Sequence, residues 1–211
     1  MSAGSSAGRT LLVGDVHGCA LELASLIALA EPARIVLLGD LFTKGPDPQG
    51  VWELVQAWGC ASVLGNHDLA VLERAAAGRE TGLPPACLDW LARLPLFLEG
   101  TGPLGPWVAV HAGVHPQLGP AGTDRRRATV LRRWPDDSDK ASPFWWQLWS
   151  GPPLVIYGHD AVRGLLDRRP HSLGLDSGCV YGGQLTGFLV EEGRLLQVPA
   201  ARAYAPVIGP V

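Results

Sequence analysis

A chain of 211 residues, 47% hydrophobic and 18% charged, can bury a real core and does not belong to the disordered class. Its formal net charge of −3 gives no global basic field, so neither a stable nucleic-acid complex nor adhesion to an anionic membrane is expected. No apolar run approaches the roughly 18 residues of a membrane span. The four dispersed cysteines form neither a CxxC pair nor a dense disulfide pattern, so a cytoplasmic protein with free thiols is expected.

Residues 1–8, rich in Ser, Gly and Ala, lack the basic start and apolar stretch of a signal peptide and read as a flexible tail. Residues 9–211 read as a single domain. The first third repeats one pattern: short apolar runs at 11–13, 35–38 and 62–64, each followed by Gly and polar residues, with helical periodicity at 19–29 and 50–58 between them. Buried strand, tight loop and helix, repeated, predict βαβ units. A third helix should begin at His67 or Asp68 and end near Ala77 before Gly78. A fourth should span 85–94, stopped by Pro95. A strand at 107–110 ends in His-Ala-Gly.

The segment 123–150 holds an Arg-rich helix, an acidic loop and the aromatic group Phe144, Trp145, Trp146 and Trp149. That group reads as a core-packing helix, with Trp145 and Trp146 as the alternative wall for a stacked substrate ring. Strands at 154–157, 173–175, 185–190 and 195–198 close the chain. The fold class expected is α/β, with two packed sheets and outer helices.

Metal-ligand residue types recur after these strands, in Gly14–Gly18 (GDVHG), Gly39-Asp40, Gly65-Asn66-His67-Asp68, His111-Ala112-Gly113 and Gly158-His159-Asp160. Loops beyond the carboxyl ends of strands in an α/β sheet converge on one crevice, so ligands distant in sequence can meet there. Asp15 and His17 suit a borderline ion such as Mn, Fe or Zn. Asp40 is placed to bridge two ions, with Asn66, His111 and His159 completing a second site. Two divalent cations can activate water and offset charge on a phosphoryl group. His67 is better placed as a proton donor than as a ligand. Asp68 either orients His67 or caps the following helix. His115, close after His111, is a candidate substrate contact. Cys19 and Cys179 flank site motifs and read as packing residues, with a soft metal as the alternative.

These segments resemble the calcineurin-like metallophosphoesterases, in their phosphoprotein phosphatase branch. The resemblance implies a four-layer αββα sandwich, Asp15 and His17 on one metal, Asp40 bridging, Asn66, His111 and His159 on the other, and His67 as acid. GDLFTKGPDP at 39–48, YGHDA at 157–161 and LDSGCVYGGQLT at 175–186 are similar to the bacterial symmetrical diadenosine tetraphosphatases and their ApaH-like relatives. Two departures stand out. Thr43 replaces the aspartate of the protein phosphatases' GDxVDRG, and Lys44 replaces its phosphate-binding arginine, keeping the charge but losing the fork. Arg133, or its neighbour Arg132, could supply a replacement clamp.

The resemblance thus implies a binuclear hydrolase of phosphoric anhydrides, with Mn2+ foremost and Co2+, Fe2+ or Zn2+ as alternatives. Symmetrical cleavage of diadenosine tetraphosphate and related nucleoside polyphosphates to ADP-type products is expected. A protein Ser/Thr or Tyr phosphatase acting on phosphopeptides, and a polyphosphatase or broad phosphomonoesterase, are the alternatives. The oligomeric state is not legible in the sequence.

Overall fold

The computed structural model describes residues 8–206; the expected tail falls almost wholly outside them. Strand alternation divides the apolar residues between layers. Along β1 (Thr10–Val13) and β2 (Arg34–Leu37), Leu11, Val13, Ile35 and Leu37 face outer helices, whereas Leu12 and Val36 turn the other way. There they meet Trp107 and Ala109 of β5 (Gly105–Val110) and Leu154 and Ile156 of β6 (Leu154–Tyr157). The other faces of those strands, Val108, Val110, Val155 and Tyr157, pack on Ala128, Leu131, Trp145, Trp146 and Trp149. Period-two alternation thus generates three apolar layers between four structural ones, the αββα sandwich.

The first sheet runs β10-β9-β1-β2-β3, with β3 at Ala61–Ser62, β9 at Gln184–Leu189 and β10 at Arg194–Pro199. The second runs β4-β5-β6-β8-β7, with β4 at Phe97–Gly102, β7 at Leu166–Arg168 and β8 at Ser172–Gly174. Within them β1, β2 and β3 are parallel, as are β5, β6 and β8. The loops after the first five of those strands carry the metal-ligand motifs, and the loop after β8 carries Asp176.

Helices α1 (Ala20–Ala30), α2 (Pro48–Trp58), α3 (Asn66–Ala76) and α4 (Pro85–Leu91) contribute to the outer layer of the first sheet. Helix α2 begins two residues earlier than its periodicity suggests. Pro48 sits in its first turn and the Asp47 side chain accepts from the Gly50 amide at 2.8 Å, a cap of about 1 kcal/mol. Helix α4 stops three residues short of the expected end. Strands β4 and β7 were not expected: β4, with sequence FLEGTG, is half exposed and lacks clean alternation, and is held by its antiparallel pairing to β5.

The region between β5 and β6 holds α5 (Arg125–Val130) and the single turn α6 (Trp145–Leu148). Its tryptophans correct the stacking-wall alternative. Trp145 is 1% exposed, and its indole N–H donates to the Ala112 carbonyl at 3.1 Å. Trp146 is buried too, stacked on Phe144 at 5.2 Å and covered by the Arg168 guanidinium. Both belong to the outer core. The acidic loop folds back on the basic stretch, where Asp137 accepts from the backbone amides of Arg132 and Arg133, each at 2.6 Å.

Candidate active site

Bringing six strand-end loops to one point demands unusual backbone. Of the non-glycine residues with positive φ among those described, His17 (47°), Asp40 (55°), Lys44 (66°) and His159 (71°) all lie here, and only Glu31 lies elsewhere. Such conformations cost about 1–3 kcal/mol each and persist where the surroundings enforce them. Glycine makes the close approaches possible. A Cβ on Gly65 would overlap Asp40 Oδ1, and one on Gly158 would overlap Asp15 Oδ1.

Asp40 occupies the centre. Its Oδ2 lies 3.7 Å from His17 Nε2 and its Oδ1 lies 3.5 Å from His111 Nε2, so one carboxylate faces two groups of donors. On the first side stands Asp15, with Oδ2 3.9 Å from His17 Nε2. On the second, Asn66 Oδ1 is approached by His111 Nε2 at 3.0 Å and by His159 Nδ1 at 2.9 Å. Two clusters of donor atoms, His17–Asp40–His67 and Asp40–His111–His159, each lie within 4.8 Å of one another. The sequence expectation placed Asp15 in the first group and His67 outside it. Here Asp15 adjoins that group, and the His67 ring stands at its edge, 5.1 Å from the His17 ring.

This donor set fits a pair of divalent ions. His111 Nδ1 is tied to the Leu38 carbonyl at 2.7 Å and His17 Nδ1 to Thr43 Oγ1 at 3.1 Å, leaving each Nε2 directed at Asp40. A histidine anchored through one nitrogen to orient the other is the usual arrangement around a metal. The electrostatics agree. Burial pushes the carboxyls of Asp40 and Asp176 up to about 7, and burial with Asp176 and Asp40 pushes Asp15 well above its ordinary value. Burial likewise lowers His17 to about 2 and His111 to about 4, and holds His159 well below the usual range. Neutral imidazoles beside mutually repelling carboxylates form a cavity that favours cations.

Several side chains line a cavity of about 360 Å³ over these donors. Lys44 Nζ lies 3.3 Å from His17 Nε2 and donates to the Tyr181 hydroxyl at 2.9 Å. Arg132 reaches in from after α5, donating to the His159 carbonyl at 3.3 Å, with Asp160 3.8 Å away. Arg133, ranked slightly ahead of it from sequence, turns away: it donates to the Ser142 carbonyl at 2.6 Å and lies over the Phe144 ring. His115 is also outside, its Nδ1 accepting from the amides of Gln117 and Leu118 and its ring packed on Trp134. Asp68 is fully buried and accepts from the amides of Asp40, Leu41 and Gly65, which is the capping alternative, extended to clamp the Asp40 loop.

Asp160, named in the sequence only as a motif member, also lines the cavity, as do Asp176 and Tyr181, to which no metal-ligand motif pointed. Asp176 had the same signature as the others, a carboxylate after an apolar strand and before Gly178, within a segment valued only for its resemblance. Tyr181 carried no signal, because its place depends on the turn that follows.

The chain matches the calcineurin-like phosphoesterase pattern over residues 8–193. It is 28% identical to the symmetrical bis(5'-nucleosyl)-tetraphosphatase of Bordetella pertussis, covering 94% of this chain and 98% of that one. That alignment runs over 277 positions, so the relative carries segments with no counterpart in these 211 residues. An asymmetrical bis(5'-nucleosyl)-tetraphosphatase from a Geobacillus strain is 25% identical, over 92% and 96% of the two chains. A crystal structure of a candidate diadenosine tetraphosphatase superposes with a TM-score of 0.82 at 32% identity, covering 93% of this chain and 95% of that one. Among the described residues no helix is long and apolar enough to cross a membrane. The pattern match, the strand-end ligands and the αββα layers agree: this chain belongs to the calcineurin-like phosphoesterase family of metal-dependent hydrolases.

Proposed function

We propose that the protein cleaves nucleoside polyphosphates, with diadenosine tetraphosphate split symmetrically to two ADP molecules. The strand-end donor set and the likeness to bis(5'-nucleosyl)-tetraphosphatases support this reading, and the proton donor is in keeping with it. Burial, with Lys44 and His111, lowers His67 to about 4, so the ring is neutral near pH 7. Thr43, standing where an aspartate could have raised it, is engaged with His17 instead. An alkoxide leaving group needs a proton urgently, whereas a nucleoside diphosphate leaves as an anion that spreads its charge over several oxygens. A site with a poor acid suits the anhydride.

Asp15, His17 and Asp40 would hold one ion and Asp40, Asn66, His111 and His159 the other. When bound, the ions supply an activated water and charge stabilisation at phosphorus. Carboxylate, amide and imidazole donors without thiolate support Mn2+ as the metal. Lys44 and Arg132, on opposite sides of the donor cluster, bind non-bridging phosphate oxygens, with the Tyr181 hydroxyl fixing the Lys44 ammonium. We take residues 9–211 as one catalytic domain, supported by the apolar layer shared by both sheets. We place the protein in the cytoplasm, supported by its four unpaired cysteines.

Anion-exchange analysis of products, with Mn-loaded enzyme given diadenosine tetraphosphate and a phosphoserine peptide in parallel, tests this. ADP as sole nucleotide product is expected. AMP with ATP would make the cleavage asymmetrical, and an untouched dinucleotide beside a dephosphorylated peptide would overturn the proposal.

A further inference from the structure

At the first turn of α1, where Cys19 and Cys179 join the apolar core, lies a cluster the phosphoesterase chemistry does not use. Cys19, Glu22 and Cys179 are 0%, 3% and 2% exposed, and their donor atoms lie within 4.8 Å of one another. Glu22 Oε1 is satisfied, accepting from the Ala201 amide at 3.0 Å and from the Tyr204 hydroxyl at 2.7 Å. Its Oε2 is buried and has no hydrogen-bond partner among the described residues. Cys19 Sγ makes a long contact with the His17 carbonyl, at 3.9 Å, and lies within hydrogen-bonding reach of the Cys179 thiol. A carboxylate oxygen left bare in a core costs at least about 1–3 kcal/mol, and a cation shared with two thiolates would remove that cost.

We propose that Cys19, Cys179 and Glu22 hold one zinc ion, a third metal site separate from the binuclear cluster. Zinc bonds of 2.3 Å to sulfur set tetrahedral edges of about 3.8 Å, so a separation of 4.8 Å or less closes with about 1 Å of movement. Two thiolates and a carboxylate select a thiophilic ion over the hard or borderline ions suited to Asp15, Asp40 and Asn66. On binding, the two thiol protons leave to solvent, two S–Zn bonds and one O–Zn bond form, the fourth position goes to a water, and no electron moves. The ion would tie the start of α1, two residues after His17, to the loop that carries Asp176 and Tyr181. Through Glu22 it would also fasten the segment Ala201–Tyr204. Because all three ligands are buried, the ion enters as the chain folds.

The test is the full chain produced with Co2+ as the only added transition metal. A sulfur-to-cobalt charge-transfer band is expected, since thiolate ligation gives it and carboxylate and imidazole ligation does not. The band should lose about half or more of its intensity in Cys179→Ser, vanish in Cys19→Ser/Cys179→Ser, and persist in Cys60→Ser, whose sulfur lies elsewhere in the core. Absence of the band in a chain that has taken up cobalt overturns the proposal, as does a band of full intensity in Cys179→Ser. Should that variant not fold, zinc-saturated wild-type chain decides: three retained zinc ions are expected. Two retained ions, or Cys19 and Cys179 recovered as a disulfide, would overturn the site.

Discussion

Consider the exchange of His67 for Gln, a side chain of similar reach that cannot act as an acid. With the ring lowered to about 4, about one molecule in a thousand carries the proton at pH 7. General acid catalysis contributes about 10²- to 10⁴-fold when the acid is fully protonated, with the larger values for the poorer leaving groups. Weighted by that protonated fraction, the upper end leaves about a tenfold advantage and the lower end leaves none. An alkyl phosphate ester lies at the upper end and a dinucleoside polyphosphate at the lower. His67→Gln should therefore lower kcat/KM about tenfold on a phosphoserine peptide and less than about threefold on diadenosine tetraphosphate. Steady-state kinetics on both substrates at equal Mn2+ loading provide the comparison. A hundredfold loss on the dinucleotide would contradict this, because a ring lowered to about 4 cannot carry that much of the rate near pH 7.

Arg132→Ala and Lys44→Ala should each cost about 10- to 100-fold in kcat/KM, the worth of one charged hydrogen bond of about 1.5–3 kcal/mol, while Arg133→Ala leaves phosphate binding unchanged. Substrate titrations of the three variants would show it. Mn2+ affinity should fall as pH drops below 7, because Asp40 and Asp176, pushed up to about 7, and Asp15, pushed well above its ordinary value, hold protons that the ion must displace. Calorimetry in buffers of different ionisation heat should then detect proton release at pH 6.5, and its absence would count against the raised carboxyls. Trp145→Ala should destabilise the fold by about 3–5 kcal/mol with KM unchanged in the molecules that stay folded. A raised KM without loss of stability would restore the stacking role.

The layers of the fold were legible because alternation along β1, β2, β5 and β6 sends neighbouring residues to different sides, and that alternation is local. That the strand-end donor residues would meet was legible for a related reason: each follows a strand, and parallel strands deliver their carboxyl ends to one edge. What stayed hidden depended on partners distant in sequence. Strand β4 is a strand because β5 pairs with it. That Arg132 faces the cavity and Arg133 does not depends on contacts such as the Ser142 carbonyl and the Phe144 ring, which hold Arg133 aside. Asp68 could be read as orienting His67 until the amides of Asp40 and Leu41, 27 or more residues earlier, were seen to occupy its carboxylate. Trp145 and Trp146 had the composition of a stacking platform, and only the outer face of the second sheet shows what they cover.

If Asp40 joins two metal ions into one catalytic unit, titrating metal-free enzyme with Mn2+ while following diadenosine tetraphosphate hydrolysis will show it. Activity should rise to a break at two equivalents per chain. Asp40→Asn, which removes the shared charge, should bind one ion or none and lose about 10³-fold in rate, roughly 4 kcal/mol of transition-state stabilisation. A break at one equivalent, or an Asp40→Asn variant that keeps both ions and its rate, would contradict the account.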